Sequence, residues 1–283
     1  MTDRAPQAPR TASSQAGDDA ASRRGRMPRP RALITGASSG LGRGYARALA
    51  GDGYDLVLVA RDERRLRELS DQLGAAHAIN AEVVAADLAR RDGIDAVAEV
   101  IDTQQIDVLI NNAGYGLRGS LLESDIAALN DQDQVLTGAV RELSLLAARR
   151  MRARGRGGIV TVSSLAAVTT MGQYAASKAS TLVFTEALAG ELRNSPVTVT
   201  AVLPGFIRTE FHERLGVARP GPGLLWLSVD QVVRESLRDA RAGKVVSVPG
   251  RGYRLAGLVA PLVPRPLMRW GSNGFAFARR DGR

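Results

Sequence analysis

The chain of 283 residues is 45% hydrophobic, 24% charged and 4% aromatic, which suits one large globular domain or two small ones and excludes collagen-like, disordered or disulfide-stapled architectures. Its formal charge of +9 raises the question of a polyanionic partner, but the excess sits at the ends: +4 over residues 1–31, +4 over 265–283 and +1 between. Two basic tails on a near-neutral body are unlike a nucleic-acid-reading surface, and the absence of cysteine, with His77 and His212 the sole histidines, removes thiol chemistry and metal sites rich in either residue and fits a reducing cytoplasm.

Residues 1–30 are rich in Ala, Arg, Ser, Pro and Asp without apolar periodicity, the mark of a disordered extension, and they lack the apolar stretch of a secretory signal. Met27 lies just ahead of the first strand, so a translation start there stays open. From Arg31 onward, strand-like runs at 32–35, 55–60, 82–86, 107–111, 158–163, 197–203 and 244–248 alternate with helix-like stretches at 41–52, 62–73, 91–102, 125–153, 173–193 and 229–242. Short Val-rich strands separated by helices predict an α/β fold, a single doubly wound parallel sheet of about seven strands with helices on both faces, over residues 31–250. Residues 251–283 form a C-terminal extension whose longest apolar stretch, 255–263, is too short to span a bilayer, so no membrane insertion is predicted; its apolar, proline-broken part 255–270 suits a membrane surface, a second subunit or its own domain.

In such a sheet ligands bind beyond the carboxyl ends of the strands. After the first strand comes Thr35-Gly36-Ala37-Ser38-Ser39-Gly40-Leu41-Gly42, whose glycines permit a tight turn and whose free N–H groups at a helix start attract phosphate. At the end of the second strand stands Arg61, supported by Arg43 in the first helix; an arginine here suits the 2′-phosphate of NADP, whereas an acidic residue would suit the ribose of NAD. Asp87 and Leu88 follow the third strand, and Asn111-Asn112-Ala113-Gly114 the fourth. Each alone is also an ordinary turn sequence.

The second cluster is chemical. Tyr174 and Lys178 lie at i and i+4 in Tyr-Ala-Ala-Ser-Lys, so they share a helix face, and Lys178 is one of two lysines beside 36 arginines. A neighbouring ammonium favours a phenolate and predicts a lowered tyrosine pKa. Ser163 and Ser164 end the fifth strand; a hydroxyl there either bonds a substrate carbonyl or caps the next segment.

The motifs at 35–42, 111–114 and 174–178, the serine after strand five, and Leu203-Pro204-Gly205 with Thr209 stand in the order of the short-chain dehydrogenase/reductase family, which the chain resembles over about residues 31–250. The resemblance implies hydride exchange between NADP(H) and a carbonyl or alcohol. Tyr174 would be the general acid, Lys178 would hold the nicotinamide ribose and tune the tyrosine, and Ser164 would orient the carbonyl. Gly36, Ser38, Ser39, Gly40, Leu41 and Gly42 would wrap the adenosine and pyrophosphate, Asp87 and Leu88 the adenine, Asn111, Ala113 and Gly114 the ribose region, and Pro204, Gly205 and Thr209 the carboxamide side. Pairing of copies through the fourth and fifth helices is implied by the same likeness.

Two departures stand out. Nine residues separate Ser164 from Tyr174, fewer than the family's usual dozen. The asparagine that the family uses with the lysine to pass protons to solvent falls near Leu136, with Thr137 a substitute if the register slips by one. An NADP-binding sensor or scaffold of the same fold, with weak turnover, is therefore the alternative to an enzyme. The segment 210–227, with Phe206 before it, is expected to cover the pocket as an apolar lid, pointing to a hydrophobic substrate.

Overall fold

The computed structural model describes residues 29–209, 226–259, 263–264 and 266–268. Seven parallel strands form one sheet in the order β3-β2-β1-β4-β5-β6-β7: β1 Arg31–Thr35, β2 Asp55–Ala60, β3 Ala81–Ala85, β4 Val108–Asn111, β5 Gly157–Val162, β6 Val197–Val202 and β7 Val246–Ser247. The helices that return the chain are α1 Gly40–Gly51, α2 Glu63–His77, α3 Arg91–Thr103, α4 Ile126–Asp133, α5 Ala139–Arg154, α6 Gly172–Glu191, α7 Val229–Arg241 and α8 Arg251–Val259. This is the doubly wound α/β fold expected from the alternation of short apolar runs and amphipathic stretches.

Helices cover both faces because the central strands are apolar on both. Ala32, Ile34, Leu56 and Leu58 face one core cluster with Tyr45 and Leu49 of α1 and Leu66 of α2, while Leu33, Val57, Val59 and Leu109 face the other with Ile94 of α3 and Leu143 of α5. The buried stripe of α1, Leu41, Tyr45, Ala46 and Leu49, follows helical spacing, and the fully buried Tyr45 satisfies its hydroxyl on Ser236 of α7 at 2.7 Å.

Three expectations shift in detail. β3 begins at Ala81 and ends at Ala85, and β7 shortens to two residues. The long helix predicted at 125–153 is interrupted by one π turn, Gln134–Gly138, between α4 and α5. The predicted extension at 1–30 lies, apart from Arg29 and Pro30, outside the described residues, as does the predicted lid apart from Trp226 and Leu227. Among the described residues no helix is long and apolar enough to cross a membrane.

The chain order reverses between β1 and β4, whose register pairs Ile34 with Ile110. At that switch point the two following loops diverge and leave a crevice.

Candidate active site

A cleft of about 630 Å³ opens at the carboxyl ends of the strands. One half is built from backbone. Gly36 has φ +68°, and a Cβ there would come within 2.9 Å of Ala113 Cα; a Cβ on Gly42 would sit 2.1 Å from the Gly36 carbonyl oxygen. The turn is thus folded so tightly onto the start of α1 that only glycine fits. Ser39 caps α1 without a side-chain bond of its own, leaving the hydroxyl and the first amides to a ligand. Thr35 Oγ1 accepts from the backbone N–H groups of Asn112 and Ala113, each at 3.0 Å, and Asn112 Nδ2 donates to the Thr35 carbonyl at 2.9 Å. These bonds lock the β1 and β4 loops at a fixed separation.

Of the residues predicted for this half, Gly36, Ser38, Ser39, Gly40, Leu41, Arg61, Asp87, Leu88, Ala113 and Gly114 line the cleft. Gly42 lies beneath the turn. Asn111 is turned away: its side chain is buried and donates to Ser144 Oγ at 2.8 Å, so its part is to tie β4 to α5. Arg43 is not among the lining residues either; its Nε is buried with no hydrogen-bond partner. Arg65, one helical turn beyond Arg61, lines the cleft in its place together with Asp62 and Tyr115, and the Arg61 guanidinium lies 5.9 Å from the centre of the Tyr115 ring. Arg61 precedes Asp62, the N-cap of α2, so no shared helix face pointed from Arg61 to Arg65. The amide-rich turn, a helix N-terminus and two guanidinium groups suit a phosphorylated dinucleotide.

The other half is built from side chains. Ser163, Tyr174, Lys178, Pro204, Gly205 and Thr209 line it, whereas Ser164, expected to orient the carbonyl, is not among the lining residues. Lys178 is 4% exposed; its Nζ donates to the Val162 carbonyl at 2.6 Å and lies 5.8 Å from the centre of the Tyr174 ring. Burial lowers the Lys178 pKa to about 8. Burial also pushes Tyr174 up to about 12, against the opposing effect of a hydrogen bond with Ser164. The expectation of a lowered tyrosine is thereby corrected: desolvation of the phenolate raises the pKa, and the hydrogen bond with Ser164 is the effect that opposes it. Ser164 takes the capping role, accepting from Ala166 N at 3.1 Å at the start of the short 3-10 turn Leu165–Val168, and it also bonds Tyr174. Ser163 Oγ donates to the Lys178 carbonyl at 2.8 Å, a tie between β5 and α6 that places the lysine beside the strand ends.

The π turn lies behind this pair. Leu136 is fully buried; a Cβ on Gly114 would come 2.7 Å from Leu136 Cδ2 and 3.8 Å from Lys178 Nζ. Leu136 and Lys178 thus both lie against Gly114. Thr137 does not replace a missing amide, since its hydroxyl donates to the Asp133 carbonyl. Ser177 Oγ donates to Asp133 Oδ1 at 2.6 Å, and Thr181 Oγ1 lies 2.9 Å from the Leu136 carbonyl, so α6 is fastened to the irregular turn at two points.

A crevice at the switch point of a doubly wound sheet, with phosphate-suited amides at one end and a Ser, Tyr, Lys cluster at the other, defines a dinucleotide-dependent enzyme class. The short chain dehydrogenase family model matches residues 30–219, and the chain belongs to that family. It is 34% identical over 191 residues to the 3-oxoacyl-(acyl-carrier-protein) reductase FabG of Escherichia coli strain K12, covering 65% of this chain and 76% of that protein. Among solved structures it resembles a short-chain dehydrogenase from Sphingobium yanoikuyae in complex with NADPH, with a TM-score of 0.76 and 31% identity over 90% of this chain and 98% of that one. It also resembles the bulky-bulky ketone specific alcohol dehydrogenase from Comamonas testosteroni, with a TM-score of 0.72 and 30% identity over 82% and 93% of the two chains.

Proposed function

We propose that the protein is an NADP(H)-dependent oxidoreductase that interconverts a hydrophobic ketone or aldehyde and its alcohol. The observation that carries this reading is the juxtaposition of Ser164, Tyr174 and Lys178, with Tyr174 bonded to Ser164 and Lys178 Nζ 5.8 Å from the Tyr174 ring, at the end of a cleft whose other end suits phosphate. The NADPH-bound relative from Sphingobium yanoikuyae supports the choice of cofactor. Arg61 and Arg65 would meet the 2′-phosphate, the turn from Gly36 to Gly42 the pyrophosphate, Asp87 and Leu88 the adenine, and Pro204, Gly205 and Thr209 the nicotinamide amide.

The cofactor supplies a hydride to the carbonyl carbon. This chain supplies the proton: Tyr174 Oη gives it to the carbonyl oxygen as that atom gains charge, and Ser164 Oγ holds the same oxygen in line. A tyrosine held at about 12 stays protonated at neutral pH and is ready to act as the acid of carbonyl reduction. The Lys178 ammonium steadies the phenolate left behind. The preference for an apolar substrate is supported by the bulky-ketone relative.

A panel of bulky ketones and 3-oxoacyl thioesters, assayed with NADPH and NADH, tests the reading. Tyr174→Phe should lower turnover by about 10²- to 10⁴-fold, the usual worth of a general acid, while NADPH affinity by fluorescence titration stays within about twofold. Turnover unchanged in this variant overturns the assignment of Tyr174. One observation favours the alternative of a sensor or scaffold: the buried Leu136 beside Lys178 offers no route for proton resupply. NADPH binding by the wild type without turnover on any carbonyl would decide for it.

A further inference from the structure

The helix α8 lies beyond the residues matched by the family model, which ends at 219, yet it packs on Gly205, a residue that lines the cleft. A Cβ built on Gly205 would come 2.1, 2.3 and 2.4 Å from three ring atoms of Tyr253. The glycine is therefore required by the tyrosine lying flat on it, whatever else it meets. The Tyr253 hydroxyl accepts from the Phe206 N–H at 3.2 Å, so ring and hydroxyl hold adjacent residues of one turn.

The helix that carries Tyr253 is itself held from two sides. Glu235 Oε2 on α7 accepts from Gly250 N at 3.0 Å and from Arg254 Nη2 at 2.6 Å. At the other end, a Cβ on Gly257 would lie 3.9 Å from Leu165 Cδ2, and the Leu165 N–H donates to the Pro204 carbonyl at 3.1 Å. The residue after Ser164 and the residue before Gly205 are thus bonded to each other beneath the same helix.

We infer that Tyr253 is a positioning residue for the reaction: it fixes the Pro204-Gly205-Phe206 turn against the strand end that carries Ser164, and so sets the distance between the nicotinamide and the carbonyl. The inference rests on the reading of the protein as an NADP(H) oxidoreductase. A displacement of about 1 Å at a reacting centre costs up to about a hundredfold in rate, so a clamp of this kind acts on kcat and on the nicotinamide half of the cofactor. It leaves the adenosine half, held by Gly36 to Gly42 and Arg61, untouched.

That asymmetry makes the test. Affinities for NADPH and for adenosine 2′,5′-bisphosphate, which fills the adenosine half alone, are measured for wild type, Tyr253→Phe, Tyr253→Ala, Gly205→Ala and the double variant Gly205→Ala/Tyr253→Ala, with kcat and KM for one reduced ketone. Tyr253→Ala should lose about tenfold in kcat and in NADPH affinity, with bisphosphate affinity within about twofold. Tyr253→Phe, which keeps the ring and strands one N–H, should lose about fivefold in kcat. Gly205→Ala should be the most damaged of the set, and the double variant should recover NADPH affinity above it, since removing the ring makes room for the new methyl. Equal weakening of both ligands in Tyr253→Ala, or no change in either, overturns the inference, as does a double variant no better than Gly205→Ala alone. Failure of the wild type to bind NADPH would instead overturn the underlying function and the inference with it.

Discussion

The two halves of the cleft are made in different ways. At the nucleotide end the shape comes from main chain: a turn in which Gly36 takes φ +68° and Gly42 passes within 2.1 Å of a carbonyl oxygen at its would-be Cβ, with the exposed Arg61 at the rim. At the chemical end the shape comes from buried side chains, Lys178 at 4% exposure and Ser163 at 2%, and desolvation sets the protonation of Lys178 and Tyr174. Main-chain amides bind an anion at any pH and need only be held in place; buried side chains bring chemistry that depends on how much water they have lost. One end is thus expected to tolerate changes of pH, the other to respond to them.

The largest consequence is in pH. With Lys178 at about 8 and Tyr174 at about 12, the tyrosine remains an acid across the range while the lysine loses its charge. The rate constant kcat/KM for carbonyl reduction should therefore fall about tenfold per pH unit above 8, approaching a hundredfold at pH 10, while NADPH affinity from the adenosine end holds. The sign for stability is opposite. Between about 8 and 10.5 the unfolded chain keeps a proton on this lysine that the folded chain has given up, so Lys178 makes folding more favourable as pH rises through that window. Activity falling while the thermal midpoint does not fall would separate titration from unfolding. A profile flat to pH 10 would show that the lysine charge has no part in catalysis.

What could be read from residue order follows the same division. The glycine turn, Asn111 to Gly114, and Tyr174 with Lys178 are short-range patterns whose geometry is set by neighbours in the chain, and the strand alternation located all of them at one sheet edge. The direction of the tyrosine shift could not be read, because it depends on water excluded by β5, α6 and the loops around them rather than on the i, i+4 partner. Nor could the exchange of Arg43 for Arg65: both precede or follow motifs at plausible spacing, and only the direction in which each side chain leaves its helix decides which reaches the cleft. The π turn at Gln134–Gly138 carries no residue type that announces it. Tyr253 was invisible for a simpler reason, since its partner Gly205 is far away in sequence and the helix between them and the core is anchored through Glu235.

The nucleotide end can be probed on its own. Arg61→Ala and Arg65→Ala should each weaken NADPH binding by about tenfold, the loss of one exposed charge-assisted contact to a phosphate. NADH affinity should move by less than about twofold, and kcat at saturating NADPH should be unchanged. Tyr115→Leu, which removes the ring beneath Arg61, should reproduce part of the Arg61 effect. Parallel losses for NADPH and NADH would move these arginines from the 2′-phosphate to a general electrostatic role.

The smallest expected change tests the chemical end at Leu136. Leu136 lies within reach of the same point as Lys178 Nζ, since a single Cβ position on Gly114 is 2.7 Å from one and 3.8 Å from the other. An amide placed there in Leu136→Asn could accept from the lysine and receive water, giving Tyr174 a faster return of its proton. Turnover at pH 7 should rise about twofold to threefold if proton return limits the rate, at a stability cost of about 1–3 kcal/mol for burying a polar group in place of an apolar one. Leu136→Ala is the control, because it also opens space beside the lysine and loses about 2–5 kcal/mol, but it offers no group to carry a proton. A rise in Leu136→Asn alone, with a normal solvent isotope effect that shrinks relative to wild type, places the bottleneck at proton return. An equal rise in both variants assigns the gain to looser packing around Lys178, and no rise in either means that the leucine costs this protein nothing in turnover and that its slow step lies elsewhere.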